Sequence, residues 1–422
     1  MNLKAVGVAT LTGRRFRRTR ILALSALLLY SLDLISHLLA FRVVPPTKPL
    51  DVPFATDCVL QNYGDASATD LDGQSDWLGG SSNASISREN ATILILARNS
   101  DLEGVLSSIR SLEQQWNSRF HYPIVFLNDE PWNANFMTAV QRVTESELTF
   151  EEIPTAMWSW PQNADGSDKV DREEAAQSWK QMEAAGLPYV TQESYHHMCR
   201  FFSGFFFDHP ALAKYRYYWR VEPDVSFTCR VPYDPFREMR RNEKVYGYTL
   251  ALWEIGSTCP SLFRTTTAYK EANGIPSSSL WLSTIDPSWA PLPLRWFLLS
   301  IPRLSHSRDR YGDAWSFCHF WSNFEIADME FFRSDDYRSY FAALESAGGF
   351  YTERWGDAPV HSLALALFAK PDQVHHFEDI GYSHPPFQHC PPEGVGCQCE
   401  CDPAVGKVPS TCLDKLRKGL GR

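Results

Sequence analysis

The chain has 422 residues, 44% of them hydrophobic and 14% aromatic, enough for one large domain or two small ones. Its net charge is −10 and its pI about 5.7, and no basic face of the kind a nucleic-acid binder carries is visible, which argues against nucleic acid as a partner. The one dense basic run is Arg14, Arg15, Arg17, Arg18 and Arg20.

That run precedes Ile21–Phe41, about 21 mostly apolar residues, and about twenty such residues span a bilayer. Arginines on the near side predict a cytosolic tail over 1–20, a transmembrane signal anchor over 21–41 and a lumenal remainder, a single-pass type II arrangement. Asp33 and His37 interrupt the segment. A central Asp costs roughly 2.5–3.5 kcal/mol on insertion scales, which the surrounding leucines offset. A cleaved signal peptide is the rival reading; the length of the segment and the lack of a clear small-x-small site favour the anchor. All ten cysteines follow it, as do the sequons Asn83-Ala-Ser85 and Asn90-Ala-Thr92. Both facts suit the secretory lumen, where disulfides persist.

Residues 42–87 are rich in Pro, Asp, Ser and Gly without apolar periodicity, and read as a stem in which Cys58 is either free or tied down. The folded part starts near Arg88 and is expected to run to 392, with a cysteine-rich tail over 393–422. Thr92–Ala97 is a continuous apolar run of strand length. Ser100-Asp-Leu-Glu103 fits a capping box, and Leu102, Val105, Leu106, Ile109, Leu112 and Trp116 follow at helical spacing. Tyr122–Leu127 is a second buried strand, so the chain opens with a βαβ unit and an α/β fold on a mostly parallel sheet is expected. Residues 166–186 read as a polar surface helix, and 240–310, mixed in Pro, Ser and Trp, as a stretch containing long loops.

In Tyr215–Phe227 aromatic and apolar residues alternate with arginines, which reads as a strand. It ends in Glu222 and Asp224 on either side of Pro223, a turn former. Two hard oxygen donors then project into the crevice beyond the strand's carboxyl end, where open α/β sheets bind ligands. A divalent cation takes such oxygens and bridges to a diphosphate. In Cys318–Asp328, Glu325 and Asp328 would share a helix face, as surface acids or as a carboxylate among aromatics suited to a developing oxocarbenium charge. In Gly348–His361, Asp357 reads as the cap of a helix Pro359–Phe368, a role compatible with substrate contact. His384 precedes a proline pair and is a candidate metal ligand or a surface histidine. Cys390, Cys397, Cys399, Cys401 and Cys412 favour lumenal disulfides over zinc, because Cys-x-Cys-x-Cys lacks the usual zinc spacing.

Five blocks resemble the fungal Golgi α-1,2-mannosyltransferase family: Ser194–Phe207, Tyr217–Asp224, Cys318–Ile326, Glu353–Ser362 and Asp379–Phe387. The resemblance covers roughly residues 88–392. It implies a GT-A type fold, GDP-mannose as donor, Mn²⁺, retention of anomeric configuration, a Golgi membrane location, and mannose-containing glycans of glycoproteins, O- or N-linked, as acceptors. By block, Glu222 and His384 look like the metal ligands and Glu325 like the proposed nucleophile. Tyr195, Arg220, Asp224 and Asp357 look like donor- or acceptor-contacting residues, and Arg98 is similar to the arginine near the nucleotide. His196, Arg230 and Ser257–Phe263 depart from the pattern, which leaves open a catalytically altered member that partners mannosylphosphate transfer. A glycoside hydrolase using Glu325 and Asp357 would leave the βαβ opening unexplained.

Overall fold

The computed structural model describes residues 5–40, 53–54, 58, 88–301, 305 and 307–421. Most of the expected stem, with the Asn83 sequon, lies outside the described residues. A first helix, α1 (Ala5–Ala40), contains the stretch Thr19–Leu39, long and apolar enough to cross a membrane.

Seven strands form the central sheet: β1 (Ala91–Leu96), β2 (Ile124–Asn128), β3 (Leu148–Glu152), β4 (Tyr217–Arg220), β6 (Tyr246–Tyr248), β11 (Glu325–Asp328) and β12 (Val374–His376), in the order β12-β6-β11-β4-β1-β2-β3. All run parallel except β11, which is antiparallel to both β4 and β6. The βαβ opening is as expected, with α2 (Leu102–Leu112) as its crossover. That helix starts one turn differently from the expected capping box: Asp101 Oδ2 accepts from the Arg98 N–H at 2.8 Å, and the Ser100–Glu103 pairing does not form. A helix Arg172–Ala184 lies within the predicted 166–186, capped by Asp171.

Residues 217–220 alternate between two cores. Trp219 packs fully buried against Trp116 at 4.9 Å and edge-on to Phe227 and Phe324, on the α2 side. Tyr218 and Arg220 face the opposite side. Trimming Trp219 to alanine would cost about 3–5 kcal/mol.

A second sheet, in the order β15-β14-β13-β5, sits over the carboxyl end of β4. It comprises β5 (Ser226–Phe227), β13 (Tyr382–His384), β14 (Phe387–His389) and β15 (Gly406–Lys407). Two small hairpin-like pairs complete the strands: β7 (Ala251–Trp253) with β10 (Cys318–Phe320), and β8 (Ile285–Asp286) with β9 (Ala314–Trp315).

Three expectations are corrected here. Residues 325–328 form a strand, so Glu325 and Asp328 point to opposite faces; the run is buried between β4 and β6, which removes the polar face a helix would show. Among the described residues of 240–310 there are β6 to β8 and helices Leu262–Ala272, Ser279–Ser283 and Leu292–Leu299, elements that the sequence did not place, joined by irregular stretches. Residues 393–421 belong to the folded unit: β15 joins the second sheet, and disulfides Cys58–Cys397, Cys229–Cys399, Cys318–Cys412 and Cys390–Cys401 staple the tail to the body. The closing helix Thr411–Gly419 packs so tightly on Ser279–Ser283 that a Cβ on Gly419 would come within 2.5 Å of Ser283 Oγ.

Candidate active site

Arg220, the last residue of β4, is the hub. Across the sheet it lies opposite Leu94 on one side and Glu325 on the other. Its guanidinium is buried over the Phe202 ring at 3.7 Å. Nη1 donates to Asp357 Oδ2 at 2.6 Å and Nη2 to Glu222 Oε1 at 2.5 Å. Burial works against the guanidinium charge, but Asp357 and Glu222 more than restore it, raising the pKa. Burial likewise opposes the Asp357 carboxylate, and Arg220 with His361 outweighs it, so that pKa is lowered. Asp357 does not cap the helix Asp357–Phe368. It sits in the first turn and spends its side chain on Arg220 and on the Ser322 hydroxyl at 2.7 Å.

Glu325 is fully buried. Tyr218 O–H donates to Oε1 at 2.7 Å and Tyr246 O–H to Oε2 at 2.9 Å. His361 Nδ1 is 3.1 Å from Oε2, and its Nε2 is 2.9 Å from the Phe202 carbonyl. Both partners of the imidazole are acceptors, so both nitrogens carry protons. Burial disfavours that cation, and the Glu325 carboxylate overrides burial and raises the His361 pKa.

Glu222 and His384 are brought together by the second sheet. β5 follows the Glu222–Asp224 turn and pairs with β13, which carries His384. Glu222 Oε2 and His384 Nε2 are 3.6 Å apart. Asn323 Nδ2 donates to the same Oε2 at 2.9 Å, and Trp321 packs edge-on to the imidazole at 5.0 Å. Burial opposes ionisation of Glu222, but Arg220 and His384 bring its pKa down to about 2. Burial opposes protonation of His384, and the hydrogen bond and charge of Glu222 raise its pKa nevertheless. Among the described residues no group of three or more His, Cys, Asp or Glu forms a metal cage. One carboxylate and one imidazole therefore suit a cation that completes its shell with phosphate oxygens and water.

Asp224 is exposed at φ +61° and stands over the first turn of α2. Its N–H donates to the Gly104 carbonyl at 3.2 Å, and a Cβ on Gly104 would lie 2.7 Å from its carboxyl group. Arg98 and Tyr195 line a separate stretch of the crevice, a cleft of about 220 Å³ at the carboxyl ends of β1 and β2 with Asp101, Asn128, Trp158 and Tyr189. Tyr195 stacks on Tyr189 at 5.1 Å and takes a 3.2 Å hydrogen bond from Arg354 Nη1.

A family model described as glycolipid 2-alpha-mannosyltransferase matches residues 66–414. The chain belongs to this family. It is 44% identical over 340 residues to the O-glycoside alpha-1,2-mannosyltransferase homolog 4 of Schizosaccharomyces pombe, covering 77% of this chain and 75% of that protein. Core-mannan synthase A of Aspergillus fumigatus, solved in an Mn/GDP form, superposes with a TM-score of 0.69 at 35% identity over 89% of this chain and 94% of that one. The mannosyltransferase Ktr4p of Saccharomyces cerevisiae, solved with GDP, gives 0.66 at 34% identity over 92% and 95%. The fold is thus that of a GT-A glycosyltransferase, and the chain is a mannosyltransferase of this family. The matched span runs well into the tail that the sequence set apart at 393.

The sequence reading missed Tyr218, Tyr246, Ser322 and Asn323, and it named His361 only as one of a compressed group with Glu353, Arg354 and Asp357. Tyr218 was within reach, because residues two apart on a strand share a face and Arg220 was already a candidate. Tyr246 comes from a distant segment and carries no local signal, and the partner of His361, Glu325, is set only by the fold. Of the family departures, His196 is buried with its ring nitrogens 2.6 and 2.8 Å from the carbonyls of Phe350 and Val190. Arg230 pairs its backbone with Cys397. Within 257–263, Thr258 accepts from Arg354, which in turn donates to Tyr195 of the cleft.

Proposed function

We propose that this chain transfers mannose from GDP-mannose, with retention, to mannose-containing glycans of glycoproteins, forming α-1,2 linkages. The catalytic part works in the Golgi lumen, anchored as a type II protein by the apolar stretch of α1. The observation that carries the reading is the approach of Glu222 and His384 at the end of β4, one residue removed from the Arg220 hub. Mn²⁺ bound there by Glu222 and His384 would supply positive charge to the departing diphosphate.

The chain's own residues do the rest. Arg220 and Asn323 hold the Glu222 carboxylate in one orientation. Arg220 and His361 against Glu222, Asp357 and Glu325 give two fixed cations and three carboxylates, a net negative cluster behind the crevice. Such a preorganised charge stabilises a sugar that becomes cationic as the bond to phosphate breaks. Glu325 has no exposed surface and both its oxygens accept hydrogen bonds, which favours this electrostatic role over direct attack on the anomeric carbon. Arg98 and Asp224 serve the donor, and Tyr195 and Asp357 serve donor and acceptor sugars. None of the family departures falls on the Arg220 cluster, which favours a working transferase over an altered binding partner. The test is to give the detergent-solubilised chain GDP-mannose, Mn²⁺ and a panel of mannosides and to map the linkage of any product. Folded protein that transfers to none of them would sink the reading.

A further inference from the structure

The helix Leu292–Leu299 and the turn before it present an unusual surface. Trp289, Trp296 and Phe297 are 67%, 63% and 62% exposed, and Leu294 is 45% exposed. An apolar patch of this kind on a folded body marks an interaction site. Its neighbour is the anchor. Tyr30, Asp33, Leu34, His37 and Leu38 form a partly covered stripe at helical spacing along the second half of α1. Tyr30 O–H donates to the Trp289 carbonyl at 3.0 Å, Arg295 Nη2 pairs with Asp33 at 2.9 Å, and His37 Nε2 lies 2.7 Å from Asp313 Oδ1. The polar residues that interrupt the apolar stretch are therefore the ones that hold this segment.

Position along α1 says what covers the patch. Tyr30, Asp33 and His37 follow Ile21 by nine, twelve and sixteen residues, about 14, 18 and 24 Å at helical rise, so the contacts run from near the middle of a hydrocarbon core about 30 Å thick towards its lumenal boundary. In-plane helices with Trp, Phe and Leu on one face settle about 5–10 Å into the headgroup boundary, the depth reached at the His37 end of this contact. Tryptophan is the side chain enriched there. We propose that residues 289–299 lie in the lumenal leaflet of the bilayer that α1 crosses, with Arg295–Asp33 as the tether that holds the catalytic body against the membrane surface. This rests on the reading of α1 as a membrane anchor.

The experiment uses the full chain in phosphatidylcholine vesicles. An environment-sensitive fluorophore is attached to a single engineered cysteine at F297C, L28C or E174C; the native free thiols of Cys199 and Cys259 are buried and do not compete. Leu28 lies on the exposed side of α1 and Glu174 on an exposed helix far from the patch in sequence. The expected result is quenching of the label at 297 by lipids with a shallow nitroxide, quenching at 28 by lipids with a deep one, and none at 174. Quenching at 28 without quenching at 297 overturns this inference and leaves the anchor standing. No quenching at 28 removes the anchor and the inference with it. A blue-shifted but unquenched label at 297 marks a protein cover, such as a second copy of the chain, and also overturns the lipid assignment.

Discussion

Arg220 and Glu325 stand directly opposite each other on adjacent antiparallel strands, yet their closest atoms, Nη1 and Oε1, remain 3.9 Å apart. The guanidinium gives its hydrogen bonds to Asp357 and Glu222, and Glu325 takes its own from Tyr218, Tyr246 and His361. The two groups thus attract by charge without sharing a hydrogen bond, and each is oriented by separate partners.

Glu325→Gln keeps the shape and removes the charge. We expect turnover to fall by about 100-fold, the range for losing one preorganised electrostatic element, with GDP-mannose affinity little changed. Steady-state kinetics beside calorimetry with GDP and Mn²⁺ gives both numbers. Near-normal turnover would remove the role assigned to this carboxylate.

Arg220→Ala leaves Asp357 buried without its cation and Glu222 without its orienting partner. Breaking a buried pair in this way costs about 3–5 kcal/mol. Denaturant unfolding of the variant beside the parent measures the loss; Arg220→Lys should recover only part of it, because an ammonium does not span both carboxylates in the same geometry.

His384→Ala and Glu222→Gln should each raise the Mn²⁺ concentration needed for half-maximal activity. Asn323→Ala, which touches only the supporting amide, should raise it by about 10–100-fold. Metal titrations at saturating GDP-mannose separate the three. An unchanged Mn²⁺ requirement in His384→Ala would dismiss the imidazole as a ligand.

His361 has a folded-state pKa above that of a free imidazole, because Glu325 faces it. The stability it confers is fully present below the unfolded pKa of about 6.5 and is lost as pH rises through the raised value. Unfolding midpoints measured from acid to alkaline pH should therefore decline over that window in the parent. His361→Gln should flatten that decline, and an identical profile in both proteins would refute the assignment.

The βαβ opening, the strand before Glu222 and the disulfide preference of the tail were legible because each has a local cause: a continuous apolar run, an alternation, a cysteine spacing. Glu325 was legible as a residue and not as an element. Its segment is buried on both faces, so neither period shows, and the strand forms because β4 and β6 offer ladders on both sides. Tyr246 and His361 are joined to it only by the tertiary fold, and no spacing in the chain announces such a meeting. The tail misled for a related reason. Its cysteines read as a unit of their own, whereas three of its four bridges reach residues 58, 229 and 318.

The partnership of β13 with β14 and β15, fastened by Cys229–Cys399, has a consequence for biogenesis. The strand that carries His384 is held in place by β14, by β15 behind it and by the bridge to Cys399. A chain whose Cys229 and Cys399 stayed reduced would lose the clamp on the strand that faces Glu222. Activity should thus depend on oxidation of this pair.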